Sequence, residues 1–281
     1  MQALNVIRRA GLYGRTVARV APRGWREQGG DPQLATERIV FVVGSPRSGT
    51  TFLADAVGSQ PGFVDLGEVR PVKAQIERWG SLPEREAAEQ LRATLERVRR
   101  LSFVRGLRPV EQTPELSFVV SAAARAYPRA TVLHIVRDGR DVVCSLLEKG
   151  WLAAARDGAD DAGLPYGDYV RWWVEPERRE EFLRASEATR AVWVWRRYLT
   201  AARAAPPEQT LEVRYEELAA DPGAVAERLA ARLETDRARL GAALSGVHSR
   251  SIGRWRRDLT PEQVEDVERE AGALLRELGY A

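Results

Sequence analysis

The sequence predicts an α/β fold: a parallel sheet flanked by helices on both faces, in three layers. Three observations predict it. Ile39 to Val43 and Thr131 to Val136 are short, nearly continuous apolar runs rich in β-branched residues, as strands covered on both faces require. Thr210 to Arg214 is a third β-rich run. Between these runs the apolar residues recur at helical spacing, and strands alternating with helices argue for a parallel sheet.

The elements follow in order. Residues 1–37 form a basic extension carrying Arg8, Arg9, Arg15, Arg19, Arg23 and Arg26. It lacks an apolar core of signal-peptide length. It is expected to be a helix packed on the domain or a partly loose terminus, with weak contact to an anionic membrane surface left open. Gly29 to Pro32 read as a linker, and residues 38–281 as one domain. Arg38 to Val43 is the first strand, Gly44 to Gly49 a turn, and Thr50 to Gly58 a helix with Phe52, Leu53, Ala56 and Val57 apolar. A second strand precedes the Asp65-Leu-Gly67-Glu68 segment. Leu82 to Leu101 has Leu91, Leu95 and Val98 on one face of a charged helix. Glu115 to Tyr127 reads as a helix ended by Pro128. After the 131–136 strand come a helix from Gly139 to Leu147 and an irregular insertion over about 150–186, with Trp151, Trp172 and Trp173. Ala188 to Ala205 is helical, and helices fill most of 222–245 and 260–278 after the 210–214 strand.

Composition excludes several classes. Cys144 is the single cysteine, so neither an internal disulfide nor a thiolate zinc site can form. A reducing, cytoplasmic compartment fits best. A net charge of +3 is too balanced for strong nucleic-acid binding by bulk charge. No apolar run approaches the ~18–20 residues of a membrane span. Lys73 and Lys149 are the only lysines among 43 Lys+Arg residues. That skew fits GC-rich coding, so arginine counts say nothing about anions; positions must.

Gly44-Ser45-Pro46-Arg47-Ser48-Gly49-Thr50-Thr51 joins a buried strand to a helix. Such a loop aims backbone N–H groups and a helix N-terminus at one spot, which suits phosphate or a similar anion. The spacing is that of a P-loop, but Thr50 stands where the lysine that grips β- and γ-phosphates would be. A smaller, metal-free anion is expected. The plain alternative is a tight strand–helix turn with a cap.

The run FVVGSPRSGTTFL resembles the 5′-phosphosulfate loop of sulfotransferases that use PAPS (3′-phosphoadenylyl sulfate). HIVRDGRDVVCSLL, residues 134–147, resembles the 3′-phosphate motif of the same family, which points to Arg137 and Ser145. VRYEELAADP is similar to the segment whose tyrosine contacts adenine, here Tyr215. HSRSIGRWRRDL resembles the late loop over the nucleotide, with Ser249, Ser251 and Arg254 as candidates. The resemblance covers most of residues 38–280. It implies a P-loop-like fold, PAPS as donor, PAP as product, no metal, and donor contacts from Arg47, Ser48, Gly49, Thr50 and Thr51. Taken singly, RDGRD could be a turn with Asp138 or Asp141 as helix cap, Tyr215 a core aromatic, and Arg254 a cap charge.

Asp65-Leu-Gly67-Glu68-Val-Arg70 resembles the GEETR-like segment of tyrosylprotein sulfotransferases, which makes Glu68 the candidate general base and Arg70 an acceptor contact. Gly67 departs from the paired glutamates of that segment. The alternative is a surface carboxylate paired with Arg70. Glu111-Gln-Thr113-Pro114 resembles an EKTP-like acceptor segment with Gln112 in place of lysine; the bland reading is Thr113 capping a helix with Pro114 at its first position. His134 lies inside a strand, and His248 adjoins the late loop. The readings in competition are a P-loop kinase-like phosphotransferase and a degenerate nucleotide-binding module. The expected acceptor is a small molecule, lipid or carbohydrate, its pocket shaped by the tryptophan-rich insertion, and a homodimer stays open.

Overall fold

Five strands make one wholly parallel sheet in a computed structural model of the chain: β1 (Val40–Val43), β2 (Phe63–Gly67), β3 (Arg108–Glu111), β4 (Thr131–Val136) and β5 (Thr210–Arg214), in the order β2-β3-β1-β4-β5. The structure describes residues 2–24, 30–166 and 172–280, with side chains over 11–22 in the first of these. This is the P-loop-like α/β sheet the sequence predicts. Alternation along β1 assigns its two faces. Phe41 and Val43 face one core and Val40 and Val42 the other, all fully buried.

The first face carries the helices Glu84–Leu101, Val120–Ala126, Gly139–Lys149, Glu187–Ala202 and Pro261–Glu277. The second carries Thr50–Gly58, Tyr215–Ala220, Pro222–Leu233 and Arg237–Leu244. Local chemistry sets their starts. Ser186 and Asp221 each accept from a first-turn backbone N–H, and Thr260 with Gln263 forms a capping box ahead of Pro261.

Four differences from expectation have physical causes. Strand β3 is disguised by Arg108, Pro109 and Glu111; burial of the two charged residues is allowed by the Leu233 carbonyl for Arg108 and by Thr113 for Glu111. Glu115 to Tyr127 splits into a 3₁₀ turn, Pro114–Val119, and the helix Val120–Ala126. The 222–245 stretch divides where Glu234 takes a left-handed backbone, φ 52°, and Asp236 caps the next helix. The end of the 150–186 insertion is regular, with Pro176–Arg178 in 3₁₀ form and Arg179–Arg184 helical.

The helix Gln2–Gly24 lies against the β2 side of the sheet through buried Thr16, Val20 and Ala21, and Arg19 bonds Asp65 at 3.4 Å. Asp31 caps Pro32–Glu37. The side chains of Arg8, Arg9, Arg23 and Arg26, and Gly29 of the expected linker, lie outside the described residues.

Candidate active site

Five of the predicted motifs leave the carboxyl end of a strand, where parallel sheets place their sites, and the late loop follows the helix Arg237–Leu244. Residues 44–51 follow β1, Glu68 follows β2, Gln112 follows β3, Arg137 follows β4, and Tyr215 follows β5. Two compartments open there.

The first is a cleft of ≈ 730 Å³. Arg47, Gly49, Thr50, Thr51, Arg137, Ser145, Tyr215, Ser251 and Arg254 all lie on its wall. Two predicted residues do not. Ser48 is buried at 1% exposure beneath the loop, and Ser249 is exposed beside it, its place on the wall taken by His248 and Arg250. The loop is tightly specified. Gly49 has φ +100°, and a Cβ there would lie 2.8 Å from the Tyr215 ring. Arg47 itself is left-handed, φ 71°, a conformation that costs a non-glycine residue of order 1 kcal/mol.

Hydrogen bonds tie the four motifs around the cleft together. Arg47 Nε donates to Ser145 Oγ at 2.9 Å. Arg137 Nη1 donates to the Arg47 carbonyl at 3.1 Å, and its Nη2 to the Ser251 carbonyl at 2.7 Å. The Arg137 guanidinium lies 4.5 Å from the Tyr215 ring centroid, and Tyr215 Oη donates to the His248 carbonyl at 2.8 Å. Asp138 caps the Gly139–Lys149 helix, whereas Asp141 accepts from Gly253 N at 2.7 Å and Trp255 N at 3.1 Å. RDGRD is thus a clamp on the late loop as well as a cap. Arg254 reaches the cleft while bound to Glu148 and Asp258.

The second compartment is a chamber of ≈ 250 Å³ lined by the charged residues Glu68, Lys73, Glu115, Asp160 and Asp161 and by the aromatic residues Trp151, Tyr166, Trp173 and Tyr198. Trp172 donates to Tyr198 Oη at 2.9 Å. The chamber adjoins the cleft across a thin partition. Pro46 faces the chamber and Arg47 the cleft; Leu146 faces the chamber and Ser145 the cleft.

Glu68 does not pair with Arg70. Its Oε2 accepts from Lys73 Nζ at 2.9 Å, and Arg70 instead bonds Asp161 at 3.0 Å, off the chamber wall. Lys73 escaped the sequence reading. Its ammonium, 8% exposed, also lies 3.5 Å from Glu115, 3.6 Å from Asp160 and 3.4 Å from Asp161. Burial alone would push it down, but Glu115, Glu68 and Asp160 outweigh that and hold it above the ordinary lysine value. The available signal was composition: a lysine in a chain that otherwise uses arginine.

Gly67 explains the departure from paired glutamates. Its φ is +62°, and the Arg19 guanidinium sits where a Cβ would project. Thr113 does not cap through its side chain. Its hydroxyl accepts from Val69 N at 2.9 Å and donates to buried Glu111, which fixes the residue after Glu68. Burial pushes the Glu111 carboxyl up to about 8, against the Thr113 and Val69 bonds that favour its ionised form. The folded chain therefore holds a proton that the unfolded chain releases near its ordinary value of 4.5. That contribution is present below 4.5 and is lost as pH rises through 8. Glu111→Gln should gain several degrees of Tm on its parent between about pH 6 and about pH 9, in thermal melts across that range. Parallel curves would show that Glu111 is ionised throughout.

Neither histidine lies on the chamber wall; His134 is buried in β4, where desolvation lowers it to about 4, and His248 lines the cleft. Burial pushes the Cys144 thiol up to about 12, so it is no nucleophile.

Residues 40–239 match the family model described as the sulfotransferase family. The chain belongs to the sulfotransferase family. Among solved structures, it is similar to the sulfotransferase domain of the curacin biosynthetic pathway at 14% identity and TM-score 0.50, over 88% of this chain and 98% of that one. It is also similar to mouse sulfotransferase SULT7A1, crystallised with PAP, at 16% identity and TM-score 0.49, over 85% of each chain. At such identities the likeness of this sulfotransferase to the curacin domain speaks for the fold alone. No curated protein sequence matches it.

Proposed function

We propose that this sulfotransferase moves a sulfuryl group from PAPS to a hydroxyl or amine of a small-molecule, lipid or carbohydrate acceptor, with Glu68 as general base. One observation carries the reading. An anion cleft and a smaller aromatic chamber meet across the 44–51 loop, so a donor in one and an acceptor in the other are held face to face.

The cleft fits a nucleotide bisphosphate. It gathers Arg47, Thr50, Thr51, Arg137, Ser145 and Arg254, and the buried Nε of Arg137 has no hydrogen-bond partner. Arg137 and Ser145 hold the 3′-phosphate, Thr50 and Thr51 the 5′-phosphate, and Tyr215 borders the base. PAPS, when bound, would supply the sulfuryl group, with the S–O bond to its 5′-phosphate broken and a bond from sulfur to the acceptor's oxygen or nitrogen formed. Arg47 and the loop N–H groups balance charge on the transferring and leaving oxygens. Glu68 takes the acceptor's proton. Arg70 reaches the acceptor only by leaving Asp161. A cytoplasmic setting suits the single, buried Cys144. Among the described residues no helix is long and apolar enough to cross a membrane.

Calorimetric titration with PAP, beside ATP–Mg²⁺, tests the reading. Tight PAP binding with weak ATP is the expected result. ATP–Mg²⁺ binding without PAP would make the protein a phosphotransferase, and binding of neither would make it a degenerate module.

A further inference from the structure

We infer that Glu148 is an anion built into the donor cleft: it holds the Arg254 guanidinium until the donor's 3′-phosphate displaces it, and it returns to speed the departure of PAP. This rests on the cleft being the PAPS site. Ser145 and Glu148 stand at i, i+3 spacing on the helix Gly139–Lys149, so they share one face, and both line the cleft. Ser145, with Arg47 Nε on its hydroxyl, belongs to the proposed 3′-phosphate subsite. A phosphate held there has the Glu148 carboxylate as its neighbour.

The grip on Glu148 is the one a guanidinium makes on phosphate. Arg254 Nη1 donates to Glu148 Oε2 at 3.2 Å, and Nη2 donates to Oε1. That hydrogen bonding holds the Glu148 carboxyl below its ordinary 4.5, so it is an anion at neutral pH. The fork that would take a phosphate is thus already filled by an anion of the chain itself.

The second carboxylate on Arg254 has a different job. Arg254 Nε donates to Asp258 at 2.6 Å, one helical turn on, and the other oxygen of Asp258 accepts from Arg257 at 2.9 Å. The Asp258 side chain is 22% exposed and that of Glu148 57%. Glu148 can turn into water at small cost, because an exposed ion pair contributes little. Asp258 keeps Arg254 aimed at the cleft once Glu148 has left. A phosphate carries more negative charge than a carboxylate at neutral pH, so it wins the fork. The displaced carboxylate then repels it, and closes on Arg254 again as it leaves. A nucleotide with a bare 3′-hydroxyl leaves the Arg254–Glu148 pair intact.

The test titrates PAP and 5′-AMP, which lacks the 3′-phosphate, into the full chain by calorimetry, with PAP dissociation followed by stopped flow. In Glu148→Gln, PAP should bind about five- to tenfold tighter, mostly through slower dissociation, while 5′-AMP stays within about twofold. Asp258→Asn should act the other way and weaken PAP about threefold, since Arg254 loses its anchor. PAP affinity unchanged or lower in Glu148→Gln would make Glu148 a mere support for Arg254 and overturn the inference. Tightening of 5′-AMP as much as PAP, or of PAP in both variants, would show general relief of negative charge and overturn it too. A parent chain that binds no PAP would sink the donor-site reading and this inference with it. A parent that binds PAP, with Glu148→Gln no tighter, would sink the inference alone.

Discussion

Glu68→Gln is expected to lower kcat for sulfuryl transfer by ~10²–10⁴-fold, the contribution of a placed general base. PAP affinity should stay within about twofold, because Glu68 lies on the chamber wall and not in the cleft. Glutamine keeps the size and can still accept from Lys73 Nζ, so the chamber's shape survives while the proton acceptor goes. The other carboxylates are poorer candidates. Glu115 and Asp160 have side chains 6% and 7% exposed, and Asp161 is shared between Arg70 and Lys73. The measurement is steady-state kinetics with an identified acceptor. An unchanged kcat in Glu68→Gln, with Glu115→Gln inactive, would move the base to Glu115.

Arg137→Ala should weaken PAP binding by ~10²–10³-fold, the size of effect seen when one partner of a buried, charge-assisted contact is removed. Arg137 is 6% exposed and joins three parts of the cleft: the loop through the Arg47 carbonyl, the late loop through the Ser251 carbonyl, and Tyr215 through its ring. Alanine would also leave those carbonyls without their donor, so Tm should fall by a few degrees. Arg137→Lys separates the two effects. It restores charge but not the forked geometry, so its affinity should fall between the parent and the alanine variant. Calorimetry on both variants decides. Unaltered PAP affinity in folded Arg137→Ala would remove Arg137 from the donor site.

The anion loop and the Arg137 motif were legible because each is local. One strand, one turn and one helix N-terminus suffice to build an anion site, and all three are contiguous in sequence. The buried β1 and β4 announced themselves by continuous apolar runs. β3 did not, because Arg108 satisfies itself on the Leu233 carbonyl and Glu111 on Thr113, contacts no periodicity reveals. The chamber was equally hidden. Glu68 and Lys73, Glu115, and Asp160 and Asp161 come from three separated segments and meet only in the folded chain. In the late loop Ser251 and Arg254 line the cleft as expected while Ser249 does not, since an irregular segment has no period to fix which side chains face inward.

The bonds from Asp141 to Gly253 and Trp255, and from Arg137 to Ser251, have a thermodynamic consequence. Fixing a flexible backbone costs about 1–2 kcal/mol per residue. Here that entropy is surrendered when the chain folds, with the apolar core to offset it. The proposed nucleotide would meet a wall already in place, and its contact energy would be kept as affinity instead of being consumed in ordering a loop.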